Sequence, residues 1–436
     1  MISLRLRSLL VLSFLFAAAM GYWEFAIFLP GVQVRHVAQG LGGGYSFGND
    51  FYPIWLASRE WMIHGREPYS QEMTQAIQSG LFGRPLDPNH PGDPPPDYRV
   101  LAYPAFVLIL AAPLAALPFP VTRLLLAVLL PLATGTSIVL WVRALRFKAG
   151  ASLLALLVVL TLSSYAGLEA LFAEQPGLVV SFLLAASLFA LTRGARMTAG
   201  LLLALTLIKP QMTALVVLYL LLWSLAKWRE RSRFLFAFSG GAAALCLCGL
   251  LVSPHWLSQW LHVVLGYKAY STPALTIDLL GHSLGIAAMV CLLTVALALA
   301  WRMRNAAATS AEFLLTVSFL LAVTAVALLP GHAVYDHVIL LPGIILILRF
   351  RREVTSSKGL RVVLILAAAA LFWQWLAALA IVGLHLLLGP QRPLAATALL
   401  LPIRTAGAIP FAILALLGLV LRDFVRGSLK LDPQTS

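Results

Sequence analysis

Asp50 stands in Gly48-Asn49-Asp50-Phe51-Tyr52-Pro53-Ile54-Trp55-Leu56-Ala57-Ser58-Arg59, a stretch that closes with Gly65-Arg66-Glu67-Pro68-Tyr69. A carboxylate there could act as a general base and take a proton from a hydroxyl. Its bland role is to cap the helix that follows, as aspartate does well. The two roles are compatible only if one oxygen stays free. Lys209-Pro210-Gln211 is the second group. A lysine within apolar sequence is costly and usually marks function, and a proline can hold a helix break. Lys209 could be a counter-charge for phosphate, or it could snorkel from a helix end. Glu169 and Glu174-Gln175-Pro176-Gly177 form the third group. Glu174 there either complements a helix start or lies in a solvated turn. The fourth is Gly331-His332-Ala333-Val334-Tyr335-Asp336-His337. One of its histidines could bind phosphate or orient a sugar, and Asp336 could simply start a helix. Tyr69 and Tyr103 could stack on a sugar ring or belong to an interfacial aromatic belt.

The elements that must hold these groups are membrane helices. Of 436 residues, 61% are hydrophobic and 11% charged, which excludes an ordinary soluble domain and fits a polytopic α-helical membrane protein. The apolar runs are continuous rather than alternating, which argues against a β-barrel. The net charge of +14 is concentrated: Arg5 and Arg7, and the clusters around Arg143, Arg193, Lys227, Arg302, Arg349 and Arg422, hold 21 of the 31 basic residues. The positive-inside rule makes these cytoplasmic. The basic balance thus reports orientation and membrane lipids, not nucleic acid. Cys246, Cys248 and Cys291 form neither a disulfide framework nor a zinc spacing.

The chain divides as follows. Residues 1–30 read as an uncleaved signal anchor, apolar from about residue 8. Residues 31–100 form a large outer loop, glycine-rich at first (Gly40, Gly42, Gly43, Gly44), with an amphipathic helix over 51–64. Asn49 or Asp50 would cap that helix and Gly65 would stop it. A second short helix covers 70–80. Six prolines with Asp87, Asp93 and Asp97 make 85–98 irregular, a solvated loop rather than a metal loop. Residues 101–118, broken by Pro104, Pro113 and Pro118, are expected to lie at the interface or re-enter. Spanning helices are expected at 120–142, 151–167, 175–192, 196–209, 211–226, 234–252, 277–301, 311–329, 334–349, 361–388 and 396–421. With the first they make about twelve, in a bundle over 119–421 with a cytoplasmic tail over 422–436. Both termini are then inside. The short pair around Lys209 is alternatively one span broken at Pro210. On this topology the polar turns, all nine histidines and Gln391-Arg392 gather at the outer end.

No Walker A, GxGxxG, HExxH, CxxC or GxSxG pattern occurs, so any reaction must draw on a pre-activated substrate. The order G-N-D-F-x-P-x-W-x-A-x-R, G-R-x-P-Y, A-Y-P, E-Q-P-G, I-K-P-Q and Y-D-H-V-x-L-L-P resembles glycosyltransferase family 87 over most of residues 45–345. These are membrane enzymes of the GT-C fold related to mycobacterial phosphatidylinositol-mannoside mannosyltransferases.

The resemblance implies an inverting transfer from a polyprenyl-phosphate sugar, the lipid-linked co-substrate, to a lipid or glycan hydroxyl at the outer face of the plasma membrane. It implies Asp50 as base, and Lys209 with His332 or His337 at the donor phosphate. Asn49, Arg59, Tyr69, Tyr103, Glu174, Gln175, Gln211, Tyr335 and Asp336 are the expected substrate-binding residues. No metal or other cofactor is expected. A transporter or lipid flippase is the rival reading, although no second related half is visible. A scaffold without activity, or a ligase using diphosphate donors, is a further alternative.

Overall fold

The computed structural model describes residues 4–38, 40–41, 48–87, 89–90, 93, 98–267, 271–389, 399–427 and 429, with side chains from Ser8. Gly42 to Gly44, Asp97, Gln391 and Arg392 fall outside them. The described elements are helical. Helix α1 (Leu4–Tyr22) passes through a π turn (Trp23–Phe28) into α2 (Leu29–Ala38). The first loop carries α3 (Tyr52–His64) and α4 (Gln71–Phe82), and α5 (Phe106–Ala115) follows it. Next come α6 (Phe119–Ala144), α7 (Ala151–Ser163), α8 (Tyr165–Phe172), α9 (Pro176–Thr192), α10 (Arg196–Leu205), α11 (Ala214–Ala226) and α12 (Trp228–Val252). They are followed by α13 (Trp256–Tyr267), α14 (Leu275–Leu280), α15 (His282–Arg302) and α16 (Ala311–Ala327). A 3-10 segment (Val334–Leu340) leads into α17 (Leu341–Arg349), α18 (Arg351–Ser356), α19 (Lys358–Leu388), α20 (Leu401–Ala406) and α21 (Ala408–Val425).

Six segments are long and apolar enough to cross a membrane: Ser8–Ala38, α6, α12, α15, α19 and Leu401–Val425. The pair α7 and α8, bent by 63°, is a seventh candidate. These fall on seven of the expected spans. The bend in the segment read as one span, 151–167, has a local cause. Ser164 Oγ accepts from Gly167 N at 3.0 Å and starts α8 anew. Expected spans 175–192, 196–209, 211–226 and 311–329 coincide with shorter apolar helices of 10–17 residues, and 334–349 is part 3-10 helix. Helix α16 is buried on every side, as an all-round apolar helix at a bundle's centre must be. Helix α6 instead exposes Leu124, Val128 and Leu132, an apolar stripe suited to lipid.

The proline-broken stretch 101–118 yields only the ten residues of α5. At 1.5 Å per residue that is about 15 Å, half of a hydrocarbon core. Helix α5 is tied to α3. Ser58 Oγ donates to Leu108 O at 2.7 Å, Trp55 Nε1 to Leu117 O at 3.0 Å and Arg59 Nη1 to Ala115 O at 3.1 Å. Helix α3 spans the expected residues and ends at Gly65, whose φ of +64° favours glycine. Helix α13, between the expected spans 234–252 and 277–301, lies beside α5 through Trp260 Nε1, which donates to Ala102 O at 3.1 Å.

The chain reverses at Lys209. A Cβ on Gly200, near the start of α10, would strike the backbone of Phe234 and Phe238. Trp223, near the end of α11, packs edge-on against the same Phe234, ring centroids 6.2 Å apart. Both limbs therefore begin and end at the α12 N-terminus, and 209–211 is the tip of a hairpin rather than a break within one span. Small residues let α10 and α12 approach closely, with Ala204 at the level of Gly241. Lys209 lies five residues beyond that level, whereas α12 runs eleven residues beyond it. At 1.5 Å per residue the lysine stops about 9 Å short of the end of α12. Its tip is recessed.

Candidate active site

Asp50 is held by its backbone before its side chain is considered. Gly48 N donates to Phe172 O at 2.8 Å and Asp50 N to Ala173 O at 3.2 Å, pinning the first loop to the end of α8. Gly48 has a φ of +78°, and a Cβ there would lie 2.5 Å from Glu174 Oε2, so both backbone and space require glycine. Contrary to expectation, neither Asn49 nor Asp50 caps α3. The first turn of that helix has no side-chain cap, and Tyr52 N instead donates to Gly48 O at 2.9 Å. The Asp50 carboxylate is turned elsewhere, with Arg99 Nη1 on Oδ1 and Gln175 Nε2 on Oδ2.

Gln175 connects this pair to a second one. Its Oε1 accepts from Lys209 Nζ at 3.2 Å, and Lys209 Nζ also donates to Asp336 Oδ1 at 2.7 Å. Lys209 is buried and its ammonium stands 4.8 Å from the centre of the Tyr335 ring, so it does not snorkel. The chain Arg99–Asp50–Gln175–Lys209–Asp336 thus joins five segments. Its two cations balance its two carboxylates. A Cβ on Gly177 would meet Asp336 Oδ1 at 2.5 Å, so the glycine of the Pro-Gly helix start leaves room for that pair.

Other expected residues gather near this chain. Tyr103, with its hydroxyl pushed well above the usual range by burial, also senses Asp50, Asp336, Tyr267 and Arg99. His332 is exposed, and its Nδ1 lies 2.9 Å from Thr272 Oγ1. Its ring is held below the ordinary histidine value by desolvation, with Asp50 opposing and Lys209 and Arg99 reinforcing. It therefore shares the electrostatic surroundings of the cluster. His337 is buried, its Nε2 without a hydrogen-bond partner, and it makes no ion pair with the cluster. Asn49 is buried beside Asp50 with Oδ1 unpartnered.

Four expected residues are placed otherwise. Arg59 is spent on α5, as described, and lies over the Trp55 ring at 5.6 Å. Tyr69 donates to Tyr103 O at 2.8 Å and so supports Tyr103 from behind. Gln211 is exposed on the turn after Lys209 and does not join the chain. Glu174 points to Gly48 and Arg123 rather than to Lys209. In the irregular loop, the Asp93 carboxylate is buried and clamped by Arg84 through two hydrogen bonds of 2.6 Å.

Arg99 is the principal residue that sequence reasoning missed, with Tyr267 and Thr272. It had a signal, being a basic residue outside the basic clusters, just after the proline run. Arg99 and Glu174, with φ of +63° and +53°, are two of the three described non-glycine residues in the left-handed region. Such conformations are costly and cluster at functional sites.

Glu174 yields a measurable consequence. Burial raises its carboxyl from about 4.5 to about 7, with Arg123 opposing. The folded protein then binds this proton more tightly than the unfolded chain does. That contribution to stability is complete below about pH 4.5 and is lost as pH rises through about 7. The difference in Tm between wild type and Glu174→Gln should therefore shift in favour of the variant across that window. A pH-independent difference in detergent melts would show that Glu174 does not titrate so.

Residues 101–330 match the family model of glycosyltransferase family 87. No curated protein and no solved structure matches the chain.

Proposed function

The chain belongs to glycosyltransferase family 87, and from that premise we propose that the Asp50–Lys209 cluster transfers one sugar from a polyprenyl-phosphate donor to a hydroxyl of a lipid or glycan. The sugar is a hexose or pentose, with mannose the first candidate. The observation that carries the reading is the pairing of a partly exposed carboxylate with a recessed, buried lysine through one glutamine.

The two ends of that chain suit the two ends of an inverting displacement. The acceptor oxygen attacks the anomeric carbon and its proton passes to Asp50. The new bond forms from the acceptor oxygen to that carbon as the carbon–oxygen bond to phosphate breaks. The leaving polyprenyl phosphate gains negative charge, which Lys209 stabilises in a largely dry site. His332 serves as second phosphate contact in preference to His337, because it shares the field of Asp50, Lys209 and Arg99. Tyr103 and Tyr335 offer rings to the sugar. A lysine about 9 Å below the end of α12 suits a phosphate whose prenyl tail stays in lipid beside the bundle. No nucleotide needs to enter, and no further cofactor is invoked. By the positive-inside rule the basic ends are cytoplasmic, as are both termini. The site then faces outward across the plasma membrane.

The test is transfer of label from a panel of radiolabelled polyprenyl-phosphate sugars to membrane lipid or glycan. Incorporation from one donor by wild-type membranes identifies class and sugar together. Folded protein inactive with every such donor, but active with diphosphate-linked sugars, would replace the donor class. Inactivity with both would turn attention to transport or lipid flipping.

A further inference from the structure

In the resting site both cations are already committed. Lys209 is paired with Asp336, and Arg99 with Asp50. A phosphodiester brings another negative charge and must draw on one of these pairs. The Lys209–Asp336 pair is buried, its side chains 8% and 1% exposed, and parting it strands a charge in low dielectric. The Arg99–Asp50 pair is looser, at 18% and 16% exposure, so Asp50 can be taken up by an acceptor or by water.

Arg99 also has capacity to spare. A guanidinium offers five donors in a planar fork that matches phosphate. Its Nη1 serves Asp50, while its Nε is buried with no hydrogen-bond partner. It lies over the Tyr98 ring at 5.2 Å, on a left-handed backbone. An orphaned buried donor on a strained residue, joined to Lys209 through Asp50 and Gln175, is arranged to take up an anion that enters the cluster.

We propose that Arg99 binds the donor phosphate together with Lys209, and that it leaves Asp50 to do so, so that donor binding is what frees the base. This rests on the polyprenyl-phosphate reading above. It makes the order of events a property of the site: with no donor, Arg99 and Gln175 each hold one Asp50 oxygen, and neither oxygen is turned to an acceptor. With donor bound, the cation moves to the phosphate and Asp50 faces the acceptor hydroxyl with an oxygen released.

The consequence is an opposite-sign result. Carboxylate and phosphate compete for Arg99, so Asp50→Asn should bind donor more tightly even though it cannot turn over. The probe is a polyprenyl monophosphate, titrated against protein in nanodiscs. Asp50→Asn is expected to bind about three- to fivefold tighter than wild type, the worth of one partly exposed ion pair. Arg99→Gln should bind about tenfold weaker or worse, the loss of a charge-assisted hydrogen bond. Arg99→Lys, which keeps the charge without the fork, should fall between and controls for folding. In Asp50→Asn/Arg99→Gln the gain from Asn should vanish.

If Asp50→Asn binds no tighter than wild type, or Arg99→Gln binds normally, Arg99 serves only to hold Asp50 and the proposal is overturned. Failure of the donor reading looks different. There the wild type would bind no polyprenyl monophosphate and transfer no sugar from a polyprenyl-phosphate donor.

Discussion

Asp50→Asn is expected to give a folded protein with transfer reduced about 10²- to 10⁴-fold, the range for loss of a positioned general base. The substitution is nearly isosteric, and the backbone bonds of residues 48 and 50 to Phe172 and Ala173 are untouched. The amide can still accept from Arg99 or Gln175, although it carries no charge to attract the guanidinium. What disappears is the capacity to take the acceptor's proton. Initial rates with saturating donor and acceptor, set beside a melting curve, would decide it. Near wild-type turnover in the variant would remove Asp50 as base, and Tyr103 and His332 would then be the groups to test.

The second large effect falls on Lys209. Lys209→Met keeps the length and apolar stem of the side chain and removes the ammonium. Use of donor, measured as kcat/KM, should fall about 10²- to 10³-fold, as when one donor to a developing oxyanion is lost. The fold is affected too, because Asp336 is left buried without its cation at a cost of about 3–5 kcal/mol. Lys209→Met/Asp336→Asn separates the two effects. The double variant should recover much of the thermal stability and none of the catalysis. Recovery of activity along with stability would mean that Lys209 supports the structure and does not meet phosphate.

The parts of this site that local rules govern were legible in the chain. The limits of α3 follow from Pro53 in its first turn and Gly65 at its end. The prolines of 101–118 announce the shortness of α5, which has ten residues, and Lys209-Pro210 announces the turn between α10 and α11. What could not be read is pairing across distance. Asp50 and Gln175 are 125 residues apart, and Lys209 and Asp336 are 127 apart. No periodicity links them. The same holds for Arg99, whose role depends on which carboxylate the fold brings to it. Capping was the natural reading of Asp50 from its neighbours, and it failed because Gly48 O already serves the first turn of α3. Helix α13 was hidden because Trp256–Tyr267 is short and lies between polar turns. Glu174 was misplaced because its direction depends on a left-handed backbone that residue type alone does not suggest.

The five segments that meet at the cluster leave the ribosome in the order Asp50, Arg99, Gln175, Lys209, Asp336. Asp50 is made first and Asp336, its most distant associate, last. A nascent chain halted before residue 331 has Asp50 and Lys209 but no Asp336 carboxylate to set that lysine. The centre therefore closes only when the 3-10 segment at Val334–Leu340 is laid against α8 and α16, late in membrane insertion. Fragments that stop before Asp336 are then expected to show no transfer, so that activity would mark a chain made past that residue.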